Sequence, residues 1–255
     1  MGLQHRIVRG AMKGALRLIY PPQCLCCGNG VAEDGALCPE CWRDADFITA
    51  AACTRCGAPQ PSGDEGPESE RAGASLCDDC MLHSRPWRHG RAAMVYSGTG
   101  RRLVLALKHG DRPDLAPALA AWLSGAAGPV LRPGMVVVPV PVHWRRMLKR
   151  HYNQAELLSG HLARLRGLPH LPDALSRSTH RPAQDHRSVT ERFDNIAGTI
   201  AVTARRVDAL RGKAVLLVDD VMTSGATLAT AAEALRSAGA GPISVCVLAR
   251  AVKHH

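Results

Sequence analysis

Eight cysteines spaced as four C-x-x-C pairs constrain this 255-residue chain more tightly than any other feature. The pairs are Cys24/Cys27, Cys38/Cys41, Cys53/Cys56 and Cys77/Cys80. A C-x-x-C turn sets two thiolates on one side of a tight knuckle, and two knuckles complete the tetrahedron that Zn²⁺ takes. Gly28 and Gly57 follow the first and third knuckles, where the chain has to turn. Disulfides would need an oxidising compartment, and the N-terminus lacks the compact apolar centre of an export signal. The pairs therefore read as ligands of two structural zinc ions. Sequential pairing gives ribbons from Cys24 to Cys41 and from Cys53 to Cys80; an interleaved cross-brace satisfies the same spacing. Cys26 is surplus to either arrangement, and Cys246, in the apolar run Ile243 to Leu248, reads as a core thiol. Residues 59–75 are rich in Pro, Gly, Ser and Glu and read as a flexible loop.

From Arg91 onward the pattern alternates strands with helices. Ala92 to Tyr96 is strand-like, Gly100 to His109 and Leu115 to Leu123 are helical, and Val136 to Val142 is an apolar strand ending in Pro139-Val-Pro141. His143 to Arg166 reads as one long helical region, with Arg145, Arg146, Lys149 and Arg150 near its start. Such alternation implies a parallel sheet with both faces covered and ligands bound outside the carboxyl ends of its strands. The expected fold class is thus α/β, a parallel sheet flanked by helices, with an N-terminal double zinc-ribbon module. Residues 1–20, with basic and apolar positions at helical spacing, form an amphipathic helix; 21–90 form the ribbons and 91–255 the α/β domain. Charge divides along the same line. Residues 1–90 carry nine Lys/Arg against eleven Asp/Glu, and residues 91–255 the remaining twenty-three against eleven. The basic character belongs to the α/β half, as a polyanionic ligand or nucleic acid would require. No apolar run approaches the length of a membrane span, and a cytoplasmic protein is expected.

The stretch Val215 to Thr227, VLLVDDVMTSGAT, narrows the ligand. Val215 to Val218 has the branching of a buried parallel strand and runs into Asp219 and Asp220. A turn of small and hydroxylated residues follows (Thr223, Ser224, Gly225, Ala226 and Thr227), then an Ala-rich helix from Leu228 to Ala240. Backbone N–H groups and hydroxyls at a helix start suit a phosphate, and paired carboxylates suit vicinal ribose hydroxyls. A Walker loop is excluded because no Gly-Lys-Ser/Thr follows the glycine, and a dinucleotide fingerprint because its spaced glycines are missing. The stretch resembles the phosphoribosyl-pyrophosphate (PRPP) loop of the type I phosphoribosyltransferases.

The chain as a whole resembles the ComF family, which joins a double zinc ribbon to such a domain. The likeness rests on Pro21-Pro-Gln-Cys-Leu-Cys-Cys-Gly28, Tyr96 through Leu107-Lys108, and Val138-Pro-Val-Pro-Val142. It continues in Arg150-His-Tyr-Asn-Gln154, in Arg177 with Gln184 and Arg192 to Asn195, and in the PRPP loop. The resemblance implies that Arg146 and Arg150 meet pyrophosphate oxygens, with Lys108, Asn153, Gln154, Gln184 and Arg192 as further candidates around the ligand. His151 replaces a glycine and Tyr152 a phenylalanine of the family pattern, which puts any glycine-specific geometry at 151 in doubt. Residues 177–192 resemble the loop that closes over PRPP in this fold. The implied reaction is a pentosyl transfer, ribose 5-phosphate passing from PRPP with Mg²⁺ to an acceptor. Thr223 stands where 6-oxopurine salvage members carry an aspartate base, so hypoxanthine or guanine salvage is not expected. The family also implies natural competence, with single-stranded DNA, a helicase or a recombinase as partners. Two alternatives to an enzyme follow: a non-catalytic PRPP-responsive factor, or a protein that handles single-stranded DNA.

Overall fold

The computed structural model describes residues 20–49, 51–60, 75–143, 147, 151–177 and 199–252. Nearly all of the expected N-terminal helix, most of the loop over 59–75, and the candidates Arg146, Arg150, Gln184 and Arg192 lie outside them. Four strands form a parallel sheet: β1 (His89–Val95), β2 (Val136–Pro139), β5 (Val215–Met222) and β6 (Ile243–Arg250), in the order β1-β6-β5-β2. Two short strands between them in sequence, β3 (Leu175–Arg177) and β4 (Ile200–Val202), pair antiparallel as a separate ribbon.

Period-two alternation along the central strands builds two cores. Leu216, Val218, Cys246 and Leu248 face one way and meet Leu103, Leu119, Leu123, Leu158 and Leu162. These belong to α3 (Gly98–His109), α4 (Ala116–Ala127) and α5 (Gln154–Arg166). Val215, Leu217, Val245 and Val247 face the other way, onto Leu228, Ala229, Ala231, Ala232 and Leu235 of α7 (Ala226–Ser237). The short α6 (Val207–Leu210) precedes β5. Alanines let α7 approach the sheet closely, which is how a chain with only 4% aromatic residues fills its core.

The ribbons straddle the outer edge of β1. Cys38 and Cys77 each precede a one-turn helix, α1 (Pro39–Arg43) and α2 (Asp78–Leu82), which carry Cys41 and Cys80. Cys24, Cys38 and Cys41 are buried in the core beneath α3 and α4, whereas Cys53, Cys56 and Cys80 join the core on the α7 side with Trp87 and Ala92. Between the two ribbons the chain crosses the β1 edge. Ile48 N–H donates to Ala93 O at 3.0 Å and Val95 N–H to Asp46 O at 2.8 Å, with Phe47 opposite Met94. This strap satisfies an edge that would otherwise present unpaired backbone groups. Phe47 also stands edge-on to Trp122 of α4, with ring centroids 5.2 Å apart.

Two expectations change. β5 does not stop at Val218; it pairs with β6 through Met222, so Asp219 and Asp220 lie within the strand. The helical region expected over His143–Arg166 is broken. Met147 N–H bonds His143 O and His151 N–H bonds Met147 O, and α5 then starts afresh after Asn153. The break falls at His151, whose φ is +63°. The doubtful glycine position is therefore real, and a histidine occupies its left-handed geometry.

Candidate functional site

A cleft of about 350 Å³ opens beyond the carboxyl ends of β2 and β5, where a parallel sheet places its ligands. Asp219, Asp220, Thr223 and Thr227 line one side, and Val140 to His143, with Asn153 and Gln154, another. Tyr96, Lys108 and Arg177 complete the wall. The predicted residues Lys108, Asn153 and Gln154 thus meet the acidic pair in one place.

The acidic pair is electrostatically loaded. Lys108 Nζ lies 3.1 Å from Asp220 Oδ1, and the Asp220 residue is only 7% exposed. Asp219 accepts from the Asp220 amide at 2.8 Å. Burial, and then repulsion from Asp220, push the Asp219 carboxyl up to about 8, while Lys108 opposes the rise. Two adjacent carboxylates with one lysine favour further positive charge or hydrogen-bond donors over them.

Neighbouring elements hold this arrangement. The Tyr152 hydroxyl donates to Leu107 O at 2.8 Å, fastening the last turn of α3, and so Lys108, to the segment before α5. Asn153 caps α5 by accepting from Ala155 N–H at 3.0 Å and donates to Val140 O at 3.1 Å. Its amide is thereby committed to structure, a positioning role rather than direct ligand contact. The turn after β5 is shaped by Gly225, the N-cap residue of α7, at φ +81°. Ser224 Oγ accepts from Ala226 N–H at 3.4 Å. Arg85 and Arg250, each 6% exposed, bind the turn from behind. Arg85 Nη1 donates to Ser224 O at 2.7 Å, and Arg250 Nη1 to Thr223 O at 2.7 Å and Met222 O at 3.2 Å. A trans peptide points its N–H opposite its carbonyl. The Ser224 and Gly225 amides therefore face away from the two guanidiniums, and among the described residues neither donates a hydrogen bond.

Sequence reasoning gave no role to His143, which is 4% exposed and lines the cleft, nor to Arg85. His143 had one usable signal, its place directly after the Pro-Val-Pro-Val strand end. Arg85 had none.

The cysteines assemble sequentially. Cys24, Cys27, Cys38 and Cys41 form one cluster and Cys53, Cys56, Cys77 and Cys80 the other, with all sulfurs of a cluster within 4.8 Å of one another. Cys26 belongs to neither. Cys27 and Cys38 sulfurs are 3.6 Å apart, as are those of Cys56 and Cys77. Tetrahedral Zn–S bonds of about 2.3 Å would set sulfurs about 3.8 Å apart, so both clusters fit zinc. Gly28 and Gly57 have φ of +82° and +70°, as the knuckles require. A Cβ at Gly57 would stand 2.5 Å from Ala92 N, so the third knuckle packs directly on β1. Burial pushes the core thiol Cys246 up to about 12, leaving it inert.

The fold and the two clusters define a protein that joins a double zinc ribbon to a parallel sheet of the phosphoribosyltransferase type. Residues 15–81 match the double zinc ribbon domain and residues 173–254 the phosphoribosyl transferase domain. The chain belongs to the ComF family. It is 36% identical over 115 residues to "Competence protein F" of Haemophilus influenzae, a match covering 45% of the chain and 50% of that protein. It is 28% identical to "DNA utilization protein YhgH" of Salmonella typhimurium over 91% of the chain and 99% of the relative. "Competence protein ComFC" of Bacillus subtilis is 26% identical over 81% of the chain and 80% of that protein. Among solved structures, an allosteric regulatory enzyme of purine biosynthesis aligns at 18% identity over 56% of the chain and 30% of its own length. Its TM-score of 0.39 is too slight to bear on function. No helix among the described residues is long and apolar enough to cross a membrane.

Proposed function

We propose that the cleft binds PRPP and that the protein transfers its ribose 5-phosphate to an acceptor nucleophile. The observation that carries this reading is the turn after β5. Its Thr223 and Ser224 carbonyls are held from behind while its Ser224 and Gly225 amides are left to an anion at the start of α7. Oriented backbone N–H groups at a helix N-terminus suit a phosphate monoester. Asp219 and Asp220, at the floor of the same cleft, suit the two ribose hydroxyls, and Thr227 a phosphate oxygen. Lys108 pairs with Asp220 and lines the same cleft, a cation suited to a diphosphate. In transfer, the bond from ribose C1 to the diphosphate oxygen breaks, pyrophosphate leaves with that electron pair, and the acceptor supplies the new bond to C1. Mg²⁺, when bound with PRPP, neutralises charge on the leaving diphosphate. The chain's own contribution is to orient the ribose and its phosphate.

Calorimetric titration of the zinc-loaded protein with PRPP and Mg²⁺ tests the reading, with Asp219→Ala/Asp220→Ala as the control. Binding lost in the double variant is expected; equal affinity in both proteins would sink the assignment. Pyrophosphate release on adding acceptors then separates a transferase from a PRPP-responsive factor.

A second reading, that the molecule also handles single-stranded DNA, is favoured by a specific surface as well as by the relatives' names. Arg55, Arg88 and Arg236 line a hollow of about 330 Å³ at the amino ends of β1 and β6. Burial and the charges of Arg132, Arg91, Arg88 and Arg55 together hold His89 below its ordinary pKa. Among the described residues none of these arginines pairs with a carboxylate. Arg85 and Trp87 line the hollow too and touch the turn at Ser224 and Gly225 from behind, whereas Arg88, whose N–H bonds Ile243 O, and Arg236, in the last turn of α7, lie away from it. Arg88→Glu with Arg236→Glu should weaken single-stranded DNA binding and lower its salt slope by about 1 to 2, with PRPP binding unchanged. An unaltered slope would place any DNA elsewhere.

A further inference from the structure

Asp79 lies between two zinc-site cysteines, Cys77 and Cys80, on the one-turn helix α2. Its Oδ2 accepts from Arg85 Nη2 and lies 3.7 Å from Arg250 Nη2. One carboxylate oxygen therefore gathers the two buried guanidiniums that hold the Met222, Thr223 and Ser224 carbonyls. Arg85 is buried, and among the described residues its Nε has no hydrogen-bond partner. Its head lies over the Trp87 ring, 5.8 Å from the centroid, and against Gly225, where an added Cβ would come within 3.1 Å of Nη1. The chain thus runs from metal ligand to carboxylate, to two arginines, to the back of the turn; both guanidiniums are buried, and the Asp79 side chain that joins them is 41% exposed.

We propose that Asp79 is a positioning residue that holds the 223–225 turn in its anion-receiving shape through Arg85 and Arg250. Metal in the second cysteine cluster and PRPP at the turn are thereby thermodynamically linked. The proposal rests on the PRPP reading of the cleft for its ligand, but not for its effect on the turn. Two guanidiniums forced toward one another need the shared carboxylate between them. Without it they repel, the carbonyls lose their fixed donors, and the Ser224 and Gly225 amides lose their direction. Linkage is reciprocal, so a ligand that favours the ordered turn also favours metal retention in the cluster that braces it. The first cluster, on the opposite face of the sheet, has no such connection among the described residues.

The test uses zinc-loaded full-length protein carrying Asp79→Asn, Arg250→Lys, or both. Zinc content, PRPP–Mg²⁺ affinity and amide exchange at 223–227 are measured for each. Each single substitution is expected to weaken PRPP about tenfold or more and to speed exchange at the turn, with two zinc ions retained. The double variant is expected to be no weaker than the worse single, because both remove the same strut; a merely structural loss would add. Asp79→Asn protein with full zinc, wild-type affinity and wild-type exchange would overturn the proposal. If Asp79→Asn sheds zinc, Arg250→Lys, whose site is not a ligand neighbour, decides the matter by the same readings. If the wild type binds no PRPP, the cleft reading fails on its own, and exchange at 223–227 alone judges the brace. The reciprocal measurement is chelator extraction of zinc with and without PRPP. Slowing of one zinc of the two is expected, while equal slowing of both, or of neither, would overturn the linkage.

Discussion

Asp219 illustrates how a ligand-binding residue weighs on the fold that carries it. Its folded pKa of about 8 lies above the ordinary carboxylate value, raised by burial and by Asp220. The folded state therefore keeps a proton that the unfolded chain releases, so the stability involved is present below the unfolded pKa and lost as pH climbs toward the folded one. Asp219→Asn removes that titration. Relative to wild type it should gain about 2 kcal/mol between about pH 6 and about pH 9, measured by denaturant unfolding of zinc-loaded protein. A gap independent of pH would mean that the carboxyl is not strained in the folded state. His151 is a second strained residue, at φ +63°. His151→Gly should stabilise by about 0.5 to 1 kcal/mol and a β-branched His151→Val destabilise by at least about 1 kcal/mol, in the same unfolding experiment. Opposite signs for these two variants are the mark of a backbone effect. The equivalent reading from sequence reached the doubt about position 151 but not its outcome, because nothing local says whether a chain will bend to keep a histidine.

At the scale of elements, the final strand, turn and helix were legible because their chemistry is contiguous. Apolar alternation, two carboxylates, a glycine and an alanine-rich helix occupy one short span, and the structure shifts only their boundaries. The cysteine clusters were legible for the same reason, although pairing order needed three dimensions. The break before α5 was not legible, since His, Tyr and Asn interrupt a helical pattern only weakly. What breaks it is tertiary: Tyr152 is drawn to Leu107 O, and Asn153 to Val140 O and the new helix start. Asn153→Ala should therefore cost about 1 to 2 kcal/mol, combining a lost cap with a lost buried tie. Asn153→Asp, which can still cap but cannot donate to Val140 O, should fall between Ala and wild type. Thermal unfolding of the three proteins checks the order. An aspartate variant as stable as wild type would show the Val140 contact to be idle. The braces behind the turn were hidden, because Arg250 is far in sequence from Asp79 and Arg85, and nothing in the C-x-x-C spacing gives the residues between the cysteines a partner.

For the whole molecule, the question is whether ribbons and sheet are two folding units or one. A bead-on-a-string arrangement would let the sheet survive loss of zinc. Three features argue against it. The cysteines of the two clusters are built into the cores on opposite faces of the sheet. The strap from Asp46 to Ile48 supplies the outer partner of β1. The Asp79 brace joins the second cluster to the far end of β5 and β6. A structural zinc site contributes on the order of 10 kcal/mol, as much as the whole net stability of a typical domain. Removing both ions should consequently unfold the sheet together with the ribbons. Zinc-loaded protein is expected to hold two zinc ions per chain by elemental analysis and to melt in a single transition. After chelation, amide protection should vanish at Leu217 and Val245, in the centre of the sheet, along with that at Ile48 on the strap and at Val95 on the β1 edge it covers. Central protection that outlasts the strap would divide the molecule into two units, and the cysteines would then be an appendage rather than part of its core.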